Sequence, residues 1–229
     1  MTALGIQSIG LPPEQHADRV VVEMLRELAQ KRAQIELAIA AAIENSKDGN
    51  PKAQVKMAER MRRAGAEHVS LTPGKRGRYE ITIYHWTGWD PIRNQEIRDD
   101  STMPQKPWIA CQFTHIETKG RGRGLAEYTG GPLLLVTHHA LSRAAQRFGI
   151  RTGAHMIAAV HHIWNAAGDL MIKNARNWTP PPPQGLRVPL GTADNAIVVL
   201  KKHESRPTLI AATIFSGDNL EHDSEKGTG

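Results

Sequence analysis

Cysteine is nearly absent from this chain. Of 229 residues only Cys111 carries a thiol, so no internal disulfide can form and stability must come from a packed core. A single cysteine in a strand-like segment fits a reducing compartment, and a cytoplasmic location is expected. Aromatics are scarce too: five Trp, three Tyr and three Phe, too few for a dedicated platform on which single-stranded bases stack. No apolar run approaches about 18 residues, which argues against a transmembrane helix and against a membrane partner. The opening stretch MTALGIQSIGLPPEQ lacks the basic and apolar regions of a signal peptide. HExxH, CxxC, GxSxG and Walker A patterns are all missing. No metal or other cofactor is therefore called for. Ser142 falls inside a predicted helix with no evident activating partner, so a Ser–His–Asp hydrolase is not expected.

What the chain does have is positive charge. Its net charge is +6. The segment from Gly217 to Gly229 holds four carboxylates against Lys226, a local charge of −3 that leaves +9 on the rest. This acidic tail has few apolar residues to bury and is predicted to be disordered. A basic body of this size points to an anionic partner, with nucleic acid ahead of other candidates.

The pattern along the chain predicts an α+β fold: an N-terminal helical hairpin, then a mostly antiparallel sheet with two inserted helices. Val21, Leu25, Leu28, Ile35, Ile39 and Ile43 recur at helical spacing between about 17 and 46. Asp48-Gly49-Asn50-Pro51 reads as a turn into a second helix that stops at Gly65. Residues 1–66 are read as this hairpin, whose role is packing or homodimerisation, 67–216 as a basic α+β domain and 217–229 as the tail. After Gly65 the period changes to two, giving strands at 69–71, 78–84, 108–116 and 125–128. A long loop is expected over 87–106. Leu133 to Val136 forms a short buried strand, and Thr152 caps a second inserted helix ending near Gly168. Strands at 195–203 and 207–215 close the fold.

Two turns combine glycine with cations: Lys75, Arg76 and Arg78 in one, Arg121 and Arg123 in the other. Glycine lets a backbone approach a phosphate while Arg and Lys supply charge. Lys201, Lys202 and Arg206 add a third basic site at the last hairpin. Trp86 and Trp89 could stack on bases, although core packing is the commoner fate of tryptophan. Six histidines, from His138 to His203, could in principle ligate a metal. His155 and His162 lie two helical turns apart, however, so surface histidines are the better reading.

The richest segment is Thr137-His138-His139-Ala140-Leu141-Ser142-Arg143-Ala144-Ala145-Gln146-Arg147-Phe148-Gly149. Thr137 can cap a helix here and Gly149 can take the left-handed exit. Leu141, Ala144, Ala145 and Phe148 share one side, while His139, Arg143, Gln146 and Arg147 share the other. Cleavage of RNA by its own 2′-hydroxyl needs a base, an acid and cations about the phosphate, and it needs no metal. His139 sits in the first helical turn, where the dipole disfavours imidazolium and can leave a neutral base. Arg143 and Arg147 can clamp the phosphate through forked hydrogen bonds, and His203 can act as the acid if the last hairpin folds over the helix.

This His-Ala-x-x-Arg-x-x-x-Arg helix, with a second helix and a β-hairpin after it, resembles the compact ribonuclease toxins of the barnase, colicin and RelE-like superfamily. The resemblance spans about residues 133–216. It implies metal-independent endoribonuclease activity and an RNA substrate. The competing expectation is a non-catalytic accessory protein of a mobile element, which uses the same basic surface to bind nucleic acid or an acidic protein.

Overall fold

The structure, a computed structural model, describes residues 13–45, 51–74, 79–94, 106–118, 125–173, 181–206 and 208–217. The predicted tail from 218 onward and the cations Lys75, Arg76, Arg78, Arg121 and Arg123 lie outside these residues.

Two helices come first, α1 (Pro13–Asn45) and α2 (Pro51–Arg63). Each begins on a proline, whose fixed φ suits the first helical position and whose missing N–H costs nothing there. After α2 the chain turns at Gly65, which takes φ 92°, while the Ala66 N–H donates to Met61 O at 3.1 Å. Strands β1 (His68–Pro73), β2 (Tyr79–Trp89), β3 (Trp108–Thr118), β4 (Leu125–Thr129) and β5 (Leu134–Val136) follow. Helices α3 (His138–Arg147) and α4 (Gly153–Lys173) come next. The last strands are β6 (Leu186–Leu190), β7 (Ala193–Lys202) and β8 (Leu209–Ser216).

The eight strands form one sheet in the order β1-β2-β3-β5-β8-β7-β6, with β4 also paired to β3. Only β5 and β8 run parallel; the other pairs are antiparallel. This is the α+β fold that the sequence pattern predicts. Three elements differ from the reading. β2 continues to Trp89, past the residue where a loop was expected to begin. α4 runs through Gly168 to Lys173, and Leu170 beyond the glycine still packs on the core. β6 is an additional strand at the sheet edge.

Two hydrophobic clusters fix the layers. In β2, Ile81 and Ile83 join Ile116, Ile35, Ile39, Met57 and Met61 in the smaller cluster, which seats α2 and the later half of α1. On the alternate positions, Trp86 and its cross-strand partner Cys111 enter the larger cluster, where Trp164 of α4 meets Trp86 edge-on at 6.3 Å. Trp86 is therefore a core residue, only 3% exposed. The larger cluster also holds Ala17, Val20, Val21, Met24 and Leu28 of α1 with α3 and α4. α1 thus shares a core with α3, α4 and the sheet.

α1 approaches α4 closely. A Cβ at Gly153 would lie 2.6 Å from Met24 N and 2.9 Å from Glu23 C. The Gly153 N–H donates to Glu23 Oε2 at 2.9 Å, so a carboxylate from α1 neutralises the positive end of α4.

Candidate nucleic-acid interface

α3 starts where β5 ends. Thr137, in extended conformation, accepts from Ala140 N at 3.1 Å and donates its own hydroxyl to Ala212 O at 2.9 Å. Gly149 takes φ 65° just past the helix. Ala140, Leu141, Ala144 and Ala145 are buried against the core. That places His139 and Arg147 in solvent and leaves Arg143 and Gln146 half-buried.

The outer face is held by light contacts. Arg143 donates to Gln146 Oε1 at 3.3 Å. Arg147 donates to Ile214 O at 3.3 Å, and its guanidinium lies 5.8 Å from the centre of the Phe215 ring, itself 41% exposed. A guanidinium has five N–H donors, and each of these contacts uses one. Among the described residues neither arginine pairs with a carboxylate. His139 titrates below the ordinary imidazole value of 6.5, first through partial burial and then through Arg143 and Arg147. At neutral pH it is an uncharged imidazole able to accept a proton, beside two fixed cations.

Behind this face lies a polar set that sequence reasoning missed. His138 is only 14% exposed at its side chain, and its Nε2 lies 3.4 Å from Asp18 Oδ1. Lys106 Nζ holds both Asp18 oxygens at 2.8 Å. On the other side of the ring, Ser142 Oγ is 3.1 Å from His138 Nδ1. Burial, then Lys106, hold His138 below 6.5, with Asp18 opposing. A carboxylate can only accept, so the neutral ring turns Nε2–H toward Asp18 and accepts the Ser142 hydroxyl at Nδ1. Ser142 thus has a basic partner, contrary to the sequence reading. The spacing of four residues along one helix was the available signal for His138. Asp18 comes from α1, which no local pattern could supply. The set ties α1 and the start of β3 to α3 directly beside His139.

The remaining predicted residues fall elsewhere. His203 sits in the β7–β8 turn, where its Nδ1 accepts from Ser205 N at 3.2 Å and its backbone N–H donates to Thr208 O at 2.9 Å. Lys201 and Lys202 oppose Ile210 and Leu209 across the hairpin. Arg206 donates to Asn94 O at 3.2 Å and lies 6.0 Å from the centre of the Trp89 ring. This turn precedes Leu209, while α3 runs from beside Ala212 toward Phe215. The turn and the α3 face therefore lie toward opposite ends of β8. The structure groups His139, Arg143 and Arg147, and places His203 with Lys201, Lys202 and Arg206.

The two glycine-basic turns leave strands that end side by side. The β2–β3 register pairs Ile81 with Ile116, so the start of β2 and the end of β3 share one end of the sheet. Of the other histidines, His155 and His162 are exposed, and His161 pairs through Nε2 with Glu67. Among the described residues no three His, Cys, Asp or Glu side chains meet in a group that could hold a metal. None of the described helices is long and apolar enough to cross a membrane. Comparison with protein-family models, curated proteins and solved structures finds no match to this chain.

Proposed function

We propose that this protein binds nucleic acid, RNA in particular, through the outer face of α3. The observation that carries the reading is the pairing of two arginines, one helical turn apart and without carboxylate partners among the described residues, with an exposed aromatic ring at the end of their row. Guanidinium forks match phosphate oxygens, and the Phe215 ring offers a surface for a base. Lys201, Lys202 and Arg206 on the last hairpin, with the glycine-basic turns, extend the positive field that draws a polyanion in. The expected result is salt-sensitive binding of labelled single-stranded RNA, weakened at least tenfold by Arg143→Gln with Arg147→Gln. An acidic protein would use the same field, and its carboxylates fit the same guanidinium forks, so the exposed ring beside them is what favours a nucleic acid.

A second reading is favoured by His139, whose proton affinity is lowered first by partial burial and then by Arg143 and Arg147. It could take the proton from a 2′-hydroxyl, whose oxygen then attacks phosphorus. The bond from phosphorus to the 5′-oxygen breaks, leaving a 2′,3′-cyclic phosphate, and the departing oxygen takes a proton from solvent because His203 lies toward the other end of β8. Arg143 and Arg147 would stabilise the added charge on phosphorus. On this reading cleavage persists in EDTA and is abolished by His139→Ala with binding retained. Binding without cleavage in the unaltered protein would leave the non-catalytic accessory role.

A further inference from the structure

A serine hydroxyl is a poor nucleophile alone. It is activated when a base within hydrogen-bond reach takes its proton and a third group orients that base. The polar set beside α3 has these parts. Ser142 Oγ lies 3.1 Å from His138 Nδ1, and the opposite ring nitrogen lies 3.4 Å from Asp18 Oδ1. Lys106 Nζ fixes the carboxylate, 2.8 Å from each oxygen. Asp18 and Lys106 join separate segments, so their contacts serve the fold. The Ser142–His138 contact joins two residues of one helix and ties no elements together. Ser142 is half-buried, and the Asp18 side chain is 46% exposed, so the set borders solvent. Gln146 completes the arrangement. It lies one turn beyond Ser142, and helical side chains lean toward the N-terminus, which brings it back over the serine. At about 100° per residue, Gln146 falls between the Ser142 and Arg143 directions. Arg143 donates to its Oε1 at 3.3 Å. A guanidinium has no acceptor, so the amide oxygen is turned to Arg143 and the amide N–H2 to the Ser142 side.

We propose that Ser142 is the nucleophile of an esterase site that hydrolyses carboxylic esters, with His138 as its base and Gln146 as the donor to the oxyanion. Asp18 and Lys106 are positioning residues. Ser142 Oγ attacks the ester carbonyl carbon while its proton passes to His138 Nδ1. The carbonyl oxygen takes up the negative charge and accepts from Gln146 Nε2–H. The imidazolium faces the Asp18 carboxylate, which stabilises it. The bond from the carbonyl carbon to the alcohol oxygen then breaks, and that oxygen takes the proton from Nδ1. Water next attacks the acyl-serine and gives a proton to the same nitrogen. The bond to Ser142 breaks, the proton returns to Oγ, and the carboxylic acid leaves.

The test uses the full chain with a fluorophosphonate probe, whose phosphorus takes the serine oxygen as fluoride leaves, and with p-nitrophenyl acetate. Mass spectrometry should find the probe on Ser142. Ser142→Ala should abolish both labelling and ester hydrolysis, with circular dichroism unchanged. Asp18→Asn is the sharper variant. Lys106 can only donate, so it holds the new amide oxygen and turns the amide N–H2 to the ring. Nε2 must then accept, Nδ1 carries the proton, and Ser142 loses its base. Labelling of the folded variant should slow by a factor on the order of 100 or more. A purely structural Asp18 would lower the melting temperature and leave that rate unchanged. A chain whose Ser142 takes up no probe, ester hydrolysis equal in Ser142→Ala and the parent, or Asp18→Asn labelled at the parent's rate would each overturn the proposal.

Discussion

Gly153→Ala tests the packing that positions the α3 site. The added methyl would meet Met24 N at 2.6 Å, Glu23 C at 2.9 Å and Glu27 Oε1 at 3.0 Å. Two of these are backbone atoms of α1, in a stretch whose Val20, Val21, Met24 and Leu28 are locked in the core. Neither can swing aside as a side-chain tip would, so α1 and α4 must separate. Overpacking of this type costs about 1–3 kcal/mol. The separation would also stretch the Gly153 N–H bond to Glu23, 2.9 Å in the native packing, at about another 1 kcal/mol. Against this stands the gain of alanine over glycine in a helix, up to about 1 kcal/mol. The net expectation is a loss of about 1–3 kcal/mol, read as a lower urea midpoint and a melting temperature down by roughly 2–12 °C for a chain of this size. A variant as stable as the parent, or more stable, would refute the close approach of α1 to α4.

Two further outcomes follow from buried polar groups. Burial holds His85 and His138 below 6.5, reinforced by Arg32 and Lys106 respectively. The unfolded chain therefore takes up more protons than the folded one as pH drops through 6.5, and stability should be greatest above that value and decline toward pH 5.5. A melting temperature that is flat or rising from pH 7.5 to 5.5 would contradict this. Gln54, 1% exposed, brackets the start of β2, donating to Tyr79 O at 2.6 Å and accepting from Tyr79 N at 2.8 Å. Gln54→Ala should cost about 2–3 kcal/mol in urea unfolding, since it strands both backbone groups; a cost under about 0.5 kcal/mol would show that water replaces the amide.

The parts of the fold written locally were legible. Thr137, Gly149 and the apolar period between them mark α3, and the structure has the same cap, exit and buried side. The end of β2 was not legible, because His85 and Thr87 break the apolar alternation. They are buried on the strength of distant partners: His85 Nε2 lies 3.2 Å from Thr114 Oγ1, and Arg32 donates to Thr87 Oγ1 at 2.6 Å. β6 carries Pro189, which reads as a connector until the strand is seen at the sheet edge, where a missing donor is tolerated. The candidate site divides the same way. Helical period alone groups His139, Arg143 and Arg147, whereas Asp18 beside His138 and the distance of the His203 turn from α3 depend on how remote segments pack.

The central claim is that α3 presents a phosphate-binding face, and the salt dependence of RNA affinity tests it most directly. Fluorescence anisotropy with labelled single-stranded RNA, from about 50 to 300 mM salt, should give a straight line of log affinity against log salt. Arg143→Gln with Arg147→Gln should lower affinity at every salt concentration. Each lost phosphate contact should shrink the slope by about 0.7, or about 1.4 for the pair. An affinity independent of salt, or a double variant with the parent's affinity and slope, would contradict the account.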